Sequence, residues 1–226
     1  MSESLGLDRS TSHRLLATLE RRGYVARTDA RRFTAGAELR RLAWGAGPDL
    51  QLVLQPILRE LVELSGESAS FSIRSGDRFR CVMHLSSPHE LSYSPTAGQS
   101  YPLNSGAAGF AIWAFLAEGD RERLLASGGF TTFTATTPAT REALAEELER
   151  TRERGYGVSA GVRTPGGCSI AFPAIGRQGT VMGALALSAA ELRVPLDELV
   201  RHEPELSRAT ARLVSEMKWA GGSPEA

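Results

Sequence analysis

Hydrophobic positions recur along the chain with two different periods, and the switches between them outline its elements. Over residues 9–22, Leu15, Leu16 and Leu19 fall at helical spacing, which predicts a helix with these leucines on its core face. Asp8 is placed to cap that helix and Gly23 to end it. The opposite face offers Arg9, Ser12 and Arg14. Tyr24–Arg27 reads as a short strand, Asp29–Arg32 as a turn and Phe33–Ala35 as a return strand, so a helix is followed by a basic hairpin. Glu38 to about Trp44 reads as helix, and Gly45-Ala46-Gly47-Pro48 breaks it as a linker. From Asp49 to Ser65, Leu50, Leu54, Ile57, Leu58, Leu61 and Val62 gather on one side of an amphipathic helix.

Further along, strands and helices interleave. Residues 69–73 and 79–85 read as strands around an Arg74–Asp77 turn. Ala107–Ala117 reads as a helix rich in small and aromatic residues. Thr140–Arg154 reads as another, with Thr140 as cap and Leu144 and Leu148 facing inward. Strands are expected near 156–160, 168–174 and 181–188, the last two separated by a Gly176–Gly179 hairpin. A final helix runs from about Pro195 to Met217, interrupted at Pro204. The pattern predicts an α+β or mixed α/β second domain without internal repeats.

Composition narrows the classes. A chain of 226 residues suits one large domain, or a small one and a medium one. No apolar run reaches the roughly 20 residues that span a bilayer, and Met1-Ser2-Glu3-Ser4 lacks the start of a signal peptide; a cytoplasmic location away from membranes is expected. Net charge is zero, which argues against bulk affinity for nucleic acid, but its distribution is uneven. Residues 8–42 hold nine arginines against Asp8, Glu20, Asp29 and Glu38, a net +5 that leaves −5 on the remainder. That asymmetry is expected of a nucleic-acid module joined to a neutral or acidic partner domain.

Catalytic and metal readings find little support. Cys168 as nucleophile with His84, His89 or His202 as base lacks a nucleophile elbow, and neither an HExxH nor a Walker-type loop is present. Cys81 and Cys168 are too few for a disulfide framework, and the CxxC spacing is absent. A metal site from Cys81, His84 and His89 is disfavoured because Cys81 and His84 stand at odd spacing on one strand, so they are expected on opposite faces. No enzyme activity, cofactor or metal is expected.

The stretch Leu5–Val25, with Ser10-Thr11-Ser12-His13-Arg14-Leu15-Leu16 at its centre, resembles the recognition-helix region of the isocitrate lyase regulator (IclR) family of bacterial transcriptional regulators. The resemblance continues through Phe33-Thr34-Ala35-Gly36, Pro102–Gly109, Arg154-Gly155-Tyr156-Gly157, Gly167–Pro173 and Gly183–Ser188, in that order. It implies an α+β fold: an N-terminal winged helix-turn-helix over 1–45, a linker helix over 46–66 and a GAF-like effector-binding and oligomerisation domain over 67–220. It further implies a double-stranded DNA operator, a small organic acid or aromatic effector, and a homodimer or homotetramer. A recognition helix enters the major groove N-terminus first, which makes Arg9, Ser10, Thr11, Ser12, His13 and Arg14 the DNA-binding candidates. The wing adds Arg27, Arg31 and Arg32 for phosphate or minor-groove contact.

The resemblance assigns the effector pocket to Tyr93, Tyr101, Ala107, Ala108, Val158, Cys168, Ala186 and Ser188, with the Ala107 and Ala108 amides at a helix start suited to a carboxylate. Val158-Ser159-Ala160-Gly161 stands where the family often carries acidic residues, and Phe110 where a lysine is frequent, so a less polar or aromatic effector is expected. Met1–Gly6 corresponds only to the end of the family's second helix. A start upstream of Met1 is therefore expected, with weak DNA binding by the 226-residue form. The alternative is a ligand-binding and dimerisation module without DNA binding of its own.

Overall fold

The computed structural model describes residues 8–22, 24–27, 33–35, 50–176 and 179–220. They form two compact units, one made of residues up to Leu50 together with those from Trp219 onward, the other of Gln51–Lys218.

In the first unit, helix α1 (Arg9–Arg21) begins where Asp8 turns the chain in. Its carboxylate accepts the Ser10 and Thr11 amides, each at 2.9 Å, satisfying donors that a helix start leaves unpaired. These bonds, those from Thr11 foremost, hold the Asp8 carboxyl down to about 2. Strands β1 (Val25–Arg27) and β2 (Phe33–Ala35) pair antiparallel, Ala26 opposite Thr34. The covered face of α1 differs from the expected one. Ser12 is buried and Leu16 and Leu19 half-buried, whereas Leu15 is 45% exposed. Positions 12, 16 and 19 fall on one stripe of a helix of 3.6 residues per turn, and Leu15 stands about 60° to its side. Gly23, the Asp29–Arg32 turn, the 38–44 helix and the 45–48 linker lie outside the described residues.

The second unit opens with α2 (Leu50–Ser65), whose Leu54, Ile57, Leu58 and Leu61 are buried as its periodicity requires. A six-stranded antiparallel sheet follows, in the order β5-β4-β3-β8-β7-β6: β3 is Ser68–Ser75, β4 Arg78–Leu85, β5 Ser100–Pro102, β6 Gly157–Ala160, β7 Gly167–Ile175 and β8 Val181–Ala190. Three helices lie between β5 and β6 in the chain: α3 (Ala107–Ala114), α4 (Glu118–Ser127) and α5 (Arg141–Arg154), capped by the Thr140 hydroxyl. After β8 come α6 (Leu196–Leu199), a 3₁₀ turn at Val200–His202, and α7 (Glu203–Ala220). Pro204 falls in the first turn of α7, where its missing N–H costs nothing, so the expected interruption is a helix start. The helix expected over 107–117 stops at Ala114, and α4 and β5 complete the region.

Alternation sorts the strands into two unlike faces. One carries large residues: Phe71 opposite Leu185, and Leu187 opposite both Ala69 and Ile170. The other is built from Ser70, Ser72, Gly157, Ser159, Ser169, Ala171, Ala184, Ala186 and Ser188. Helix α3, Ala-Ala-Gly-Phe-Ala-Ile-Trp-Ala, packs against β6, β7 and β8, and α5 against α3. Small residues on both surfaces let helix and sheet approach closely. Arg152 donates to the Ala114 carbonyl and satisfies the C-terminal end of α3.

Candidate functional site

A small cavity of about 30 Å³, open to solvent on one side, lies where α3 begins. Its floor is the small-residue face: Ser70, Ser169, Ala186 and Ser188. Ser105, Gly106, Ala107 and Ala108 form one wall, and Phe79, Tyr93, Pro95 and Arg163 the other. Gly106 caps α3 without a side chain, and Phe110 is the first α3 residue whose amide finds a helical partner, the Gly106 carbonyl. The Ala107 and Ala108 amides therefore point out of the helix start as free donors.

Two floor hydroxyls are notable for what they lack. Ser70 and Ser188 are 2% and 4% exposed, line the cavity, and make no side-chain hydrogen bond among the described residues. Ser169 and Ser159 share one bond of 2.8 Å. Both hydroxyls open onto the cavity and are free to bond water or a bound molecule.

Arg163 stands over the Tyr101 ring, 4.2 Å from its centre, and 5.3 Å from that of Tyr93. Both aromatic seats are held. The Tyr101 hydroxyl accepts from the Thr96 amide and donates to Gln99 Oε1, and the ring packs on Phe79 at 5.4 Å. The Tyr93 ring rests on Gly167, where a Cβ would come within 2.8–2.9 Å of three ring carbons. Among the described residues Arg163 has no carboxylate partner within salt-bridge distance.

The structure thus gathers Tyr93, Ala107, Ala108, Ala186 and Ser188 at one cavity, with Tyr101 behind its wall. It places Val158 and Cys168 elsewhere. Cys168 precedes the cavity-side Ser169 by one residue, and one step along a strand reverses the face. Val158 lines a separate depression with Glu146, Arg150 and Leu196, and the Cys168 thiol approaches the Ala189 and Val194 carbonyls. The site is also more polar than expected, because Arg163 and the strand serines carry no motif that marks them from sequence. Arg163 had one legible signal, a lone arginine in a Gly-, Thr- and Pro-rich stretch between two strands.

Both cysteines are free thiols buried in the interior. Burial pushes both thiols up to about 11, for Cys81 against the opposing pull of Arg163, so about one part in ten thousand is thiolate at neutral pH. Iodoacetamide is expected to label both at least about 100-fold more slowly in the folded protein than in urea, since thiolate fraction and access fall together. Equal rates would show that one thiol is open. A register shift changes the Cys81–His84 geometry from that expected. β4 carries an extra residue at Val82, so Cys81 faces Ser72 and His84 faces Ser70, on the same side of the sheet. No third donor joins them: among the described residues no group of three His, Cys, Asp or Glu could hold a metal ion.

In α1, Ser10, Thr11, His13 and Arg14 are exposed, with Ala17 and Arg21 further along the outer side. Ser12 faces inward instead, its buried hydroxyl unpaired, so it leaves the DNA-facing set. Arg9 and Arg27 lie at the start of α1 and the end of β1; Arg31 and Arg32 lie outside the described residues. No helix among the described residues is long and apolar enough to cross a membrane.

Comparison with known proteins bears on both units. The IclR helix-turn-helix domain matches residues 1–29, and the C-terminal region of bacterial transcriptional regulator IclR matches residues 47–216. The probable transcriptional regulator SauR of Cupriavidus necator is 30% identical over 94% of this chain and 85% of its own length. The transcriptional repressor AllR of Escherichia coli is 30% identical over 95% of this chain and 80% of its own. A putative IclR regulator from a Silicibacter species superposes with a TM-score of 0.80 at 26% identity, covering 99% of this chain and 88% of that one. An IclR homologue from Microbacterium hydrocarbonoxydans, solved in complex with 4-hydroxybenzoate, gives a TM-score of 0.76 at 20% identity over 96% of this chain and 89% of that one.

Proposed function

Because the chain belongs to the IclR family of bacterial transcriptional regulators, and so is a DNA-binding regulator rather than an enzyme, we propose that its operator affinity is set by a small organic acid or aromatic compound in the α3 cavity. The observation that carries this reading is a cavity whose floor presents the Ser70 and Ser188 hydroxyls without side-chain partners and into which a helix start directs free amides. That a neighbour of the same fold holds 4-hydroxybenzoate supports it. The first turns of α1, with Arg9, Ser10, Thr11, His13 and Arg14, contact the major groove, and the wing arginines Arg27, Arg31 and Arg32 contact phosphates or the minor groove. Residues 1–45 form the DNA-binding domain, 46–66 the linker and 67–220 the effector and oligomerisation domain of a cytoplasmic homodimer or homotetramer.

The test is to select bound fragments from sheared genomic DNA and titrate the resulting complex with small carboxylates and aromatic acids. Affinity is expected to change by about tenfold or more with an active compound. Arg14→Ala is expected to cost about 1–3 kcal/mol and relax sequence preference if it reads a base, or to lower the salt slope by about one if it meets a phosphate. Fragments retained with unchanged affinity at every acid tested would sink the effector reading.

A further inference from the structure

We propose that residues 131–138 are a strap that ties the two walls of the α3 cavity into one moving part, so that the cavity opens, or is held closed by a ligand, only together with this strap. The part of the inference that concerns a ligand rests on the α3 cavity being the effector site; the tie itself does not.

The strap is gripped from both walls. The first grip is Asn104, 2% exposed, in the turn that leads into Ser105–Ala108. Its Nδ2 donates to the Thr131 carbonyl at 2.8 Å and to the Pro138 carbonyl at 3.2 Å, so one side chain on one wall holds both ends of the strap. The second grip is made of hydroxyls. Thr137 Oγ1 donates to the Val162 carbonyl at 2.6 Å and Thr134 Oγ1 to the Gly161 carbonyl at 2.7 Å, the two residues that precede Arg163 of the other wall. Thr136 adds a longer bond, 3.4 Å, to the Ala160 carbonyl. Three hydroxyls of the strap thus meet three consecutive carbonyls at the end of β6 and just beyond it.

The same hydroxyls shape the strap itself. Thr137 Oγ1 also accepts the Phe133 and Thr134 amides at 3.0 and 2.9 Å. Letting go of Val162 and uncoiling the strap therefore disturb one shared centre. The hold is polar: Thr137 is the buried residue of the strap, while Phe133 is 39% exposed. Segments held by few buried apolar contacts open locally, well below the cost of global unfolding. The posts on either side are firmer. Phe130 packs on Trp113 with ring centres 6.0 Å apart, and the Thr140 hydroxyl caps α5. What opens is the stretch between them, and both walls are fastened to it.

Native-state hydrogen exchange of the full chain gives the test. Ser105 reports one wall, Gly161 the other, and Phe133 and Thr134 the strap, each through an amide that is hydrogen-bonded in the closed arrangement. The central strands β3 and β8 report global unfolding. The proteins are the wild type, Asn104→Ala, Thr137→Val, Thr137→Ser and Thr140→Ala, the last uncapping α5 without touching either grip. Asn104→Ala and Thr137→Val are each expected to speed exchange about 10-fold or more at both walls and the strap, and by less in β3 and β8. Thr137→Ser, which keeps the hydroxyl, is expected to behave as the wild type, and Thr140→Ala to act at the start of α5 alone. If Asn104→Ala leaves Gly161 unchanged, or Thr137→Val leaves Ser105 unchanged, the walls move independently and the strap ties nothing. A rise of equal size in β3 and β8 shows a fold weakened throughout and overturns the inference as well. Pyruvate, lactate, benzoate and 4-hydroxybenzoate are then compared by melting point, and the most stabilising is added at about 100 times its Kd. It is expected to slow exchange about 100-fold at both walls and at the strap alike. Slowing at the walls with an unchanged strap refutes the tie. If no compound raises the melting point, the effector reading of the cavity loses its support, and exchange in the unliganded variants still decides the strap.

Discussion

Replacing Gly157 or Gly109 by alanine is expected to destabilise the effector unit by about 3 kcal/mol or more, the upper range for forcing atoms into a packed interior. A Cβ at Gly109 would stand 2.1 Å from the Leu103 carbonyl oxygen, and one at Gly157 2.3 Å from the Ala107 carbonyl oxygen. Both obstacles are backbone, so no rotamer change relieves them. Relief requires α3 to move away from the Pro102–Ser105 turn or from β6, and with it the amides of the cavity wall. Urea denaturation should show a midpoint shift of matching size, and acid binding should weaken even where the protein stays folded. Gly119 is the control. It lies within α4 with nothing near its Cβ position, and Gly119→Ala is expected to be neutral or to stabilise by up to about 1 kcal/mol. Equal effects at all three positions would show that close approach is not what these glycines serve.

The second large effect concerns the ion pair of Glu67 with Arg193. Glu67, at the start of β3, is 1% exposed and receives both Arg193 guanidinium nitrogens, Nη2 at 2.6 Å, from the turn after β8. Those bonds, foremost the hydrogen bond to Glu67, raise the arginine further above its ordinary value. Arg193→Met leaves a carboxylate in the interior without its counterion. The expected loss is about 3 kcal/mol, the low end for breaking a buried pair, because Arg193 keeps about a quarter of its side-chain surface in water. The double variant Glu67→Leu with Arg193→Met removes the stranded charge and is expected to recover most of that loss. Should the double variant be as unstable as the single one, the packing of the arginine stem, and not its charge, holds the turn.

Much of this was legible in advance, for identifiable reasons. Helices with a side-chain cap, such as α1 and α5, or with strong leucine spacing, such as α2, announce themselves, because both signals are local. The winged outline followed from a basic hairpin after a helix. What escaped was decided by register. A one-residue step put Ser169 in the place of Cys168 at the cavity, and an extra residue at Val82 brought Cys81 and His84 to the same face. Strand patterns built from alanine, serine and glycine hardly distinguish the two sides, since no large residue marks the core. Arg163 was hidden for a different reason: its meaning depends on Tyr93 and Tyr101, some 60 to 70 positions earlier in the chain. Ser12 and Leu15 exchanged their expected environments because a 60° turn of the buried stripe suffices to do so.

The unlike faces of the sheet have a consequence for how such a protein diversifies. Bulky side chains that hold the domain together project one way from β3, β7 and β8, while the serines and alanines of the cavity floor project the other. Alternate residues of the same strands thus answer to different selective pressures. A change at Ser70, Ser169, Ala186 or Ser188 alters the polarity of the cavity floor and leaves Phe71, Ile170, Leu185 and Leu187 in place. New chemical preferences can therefore accumulate by single steps on a scaffold that never has to be refolded to accept them.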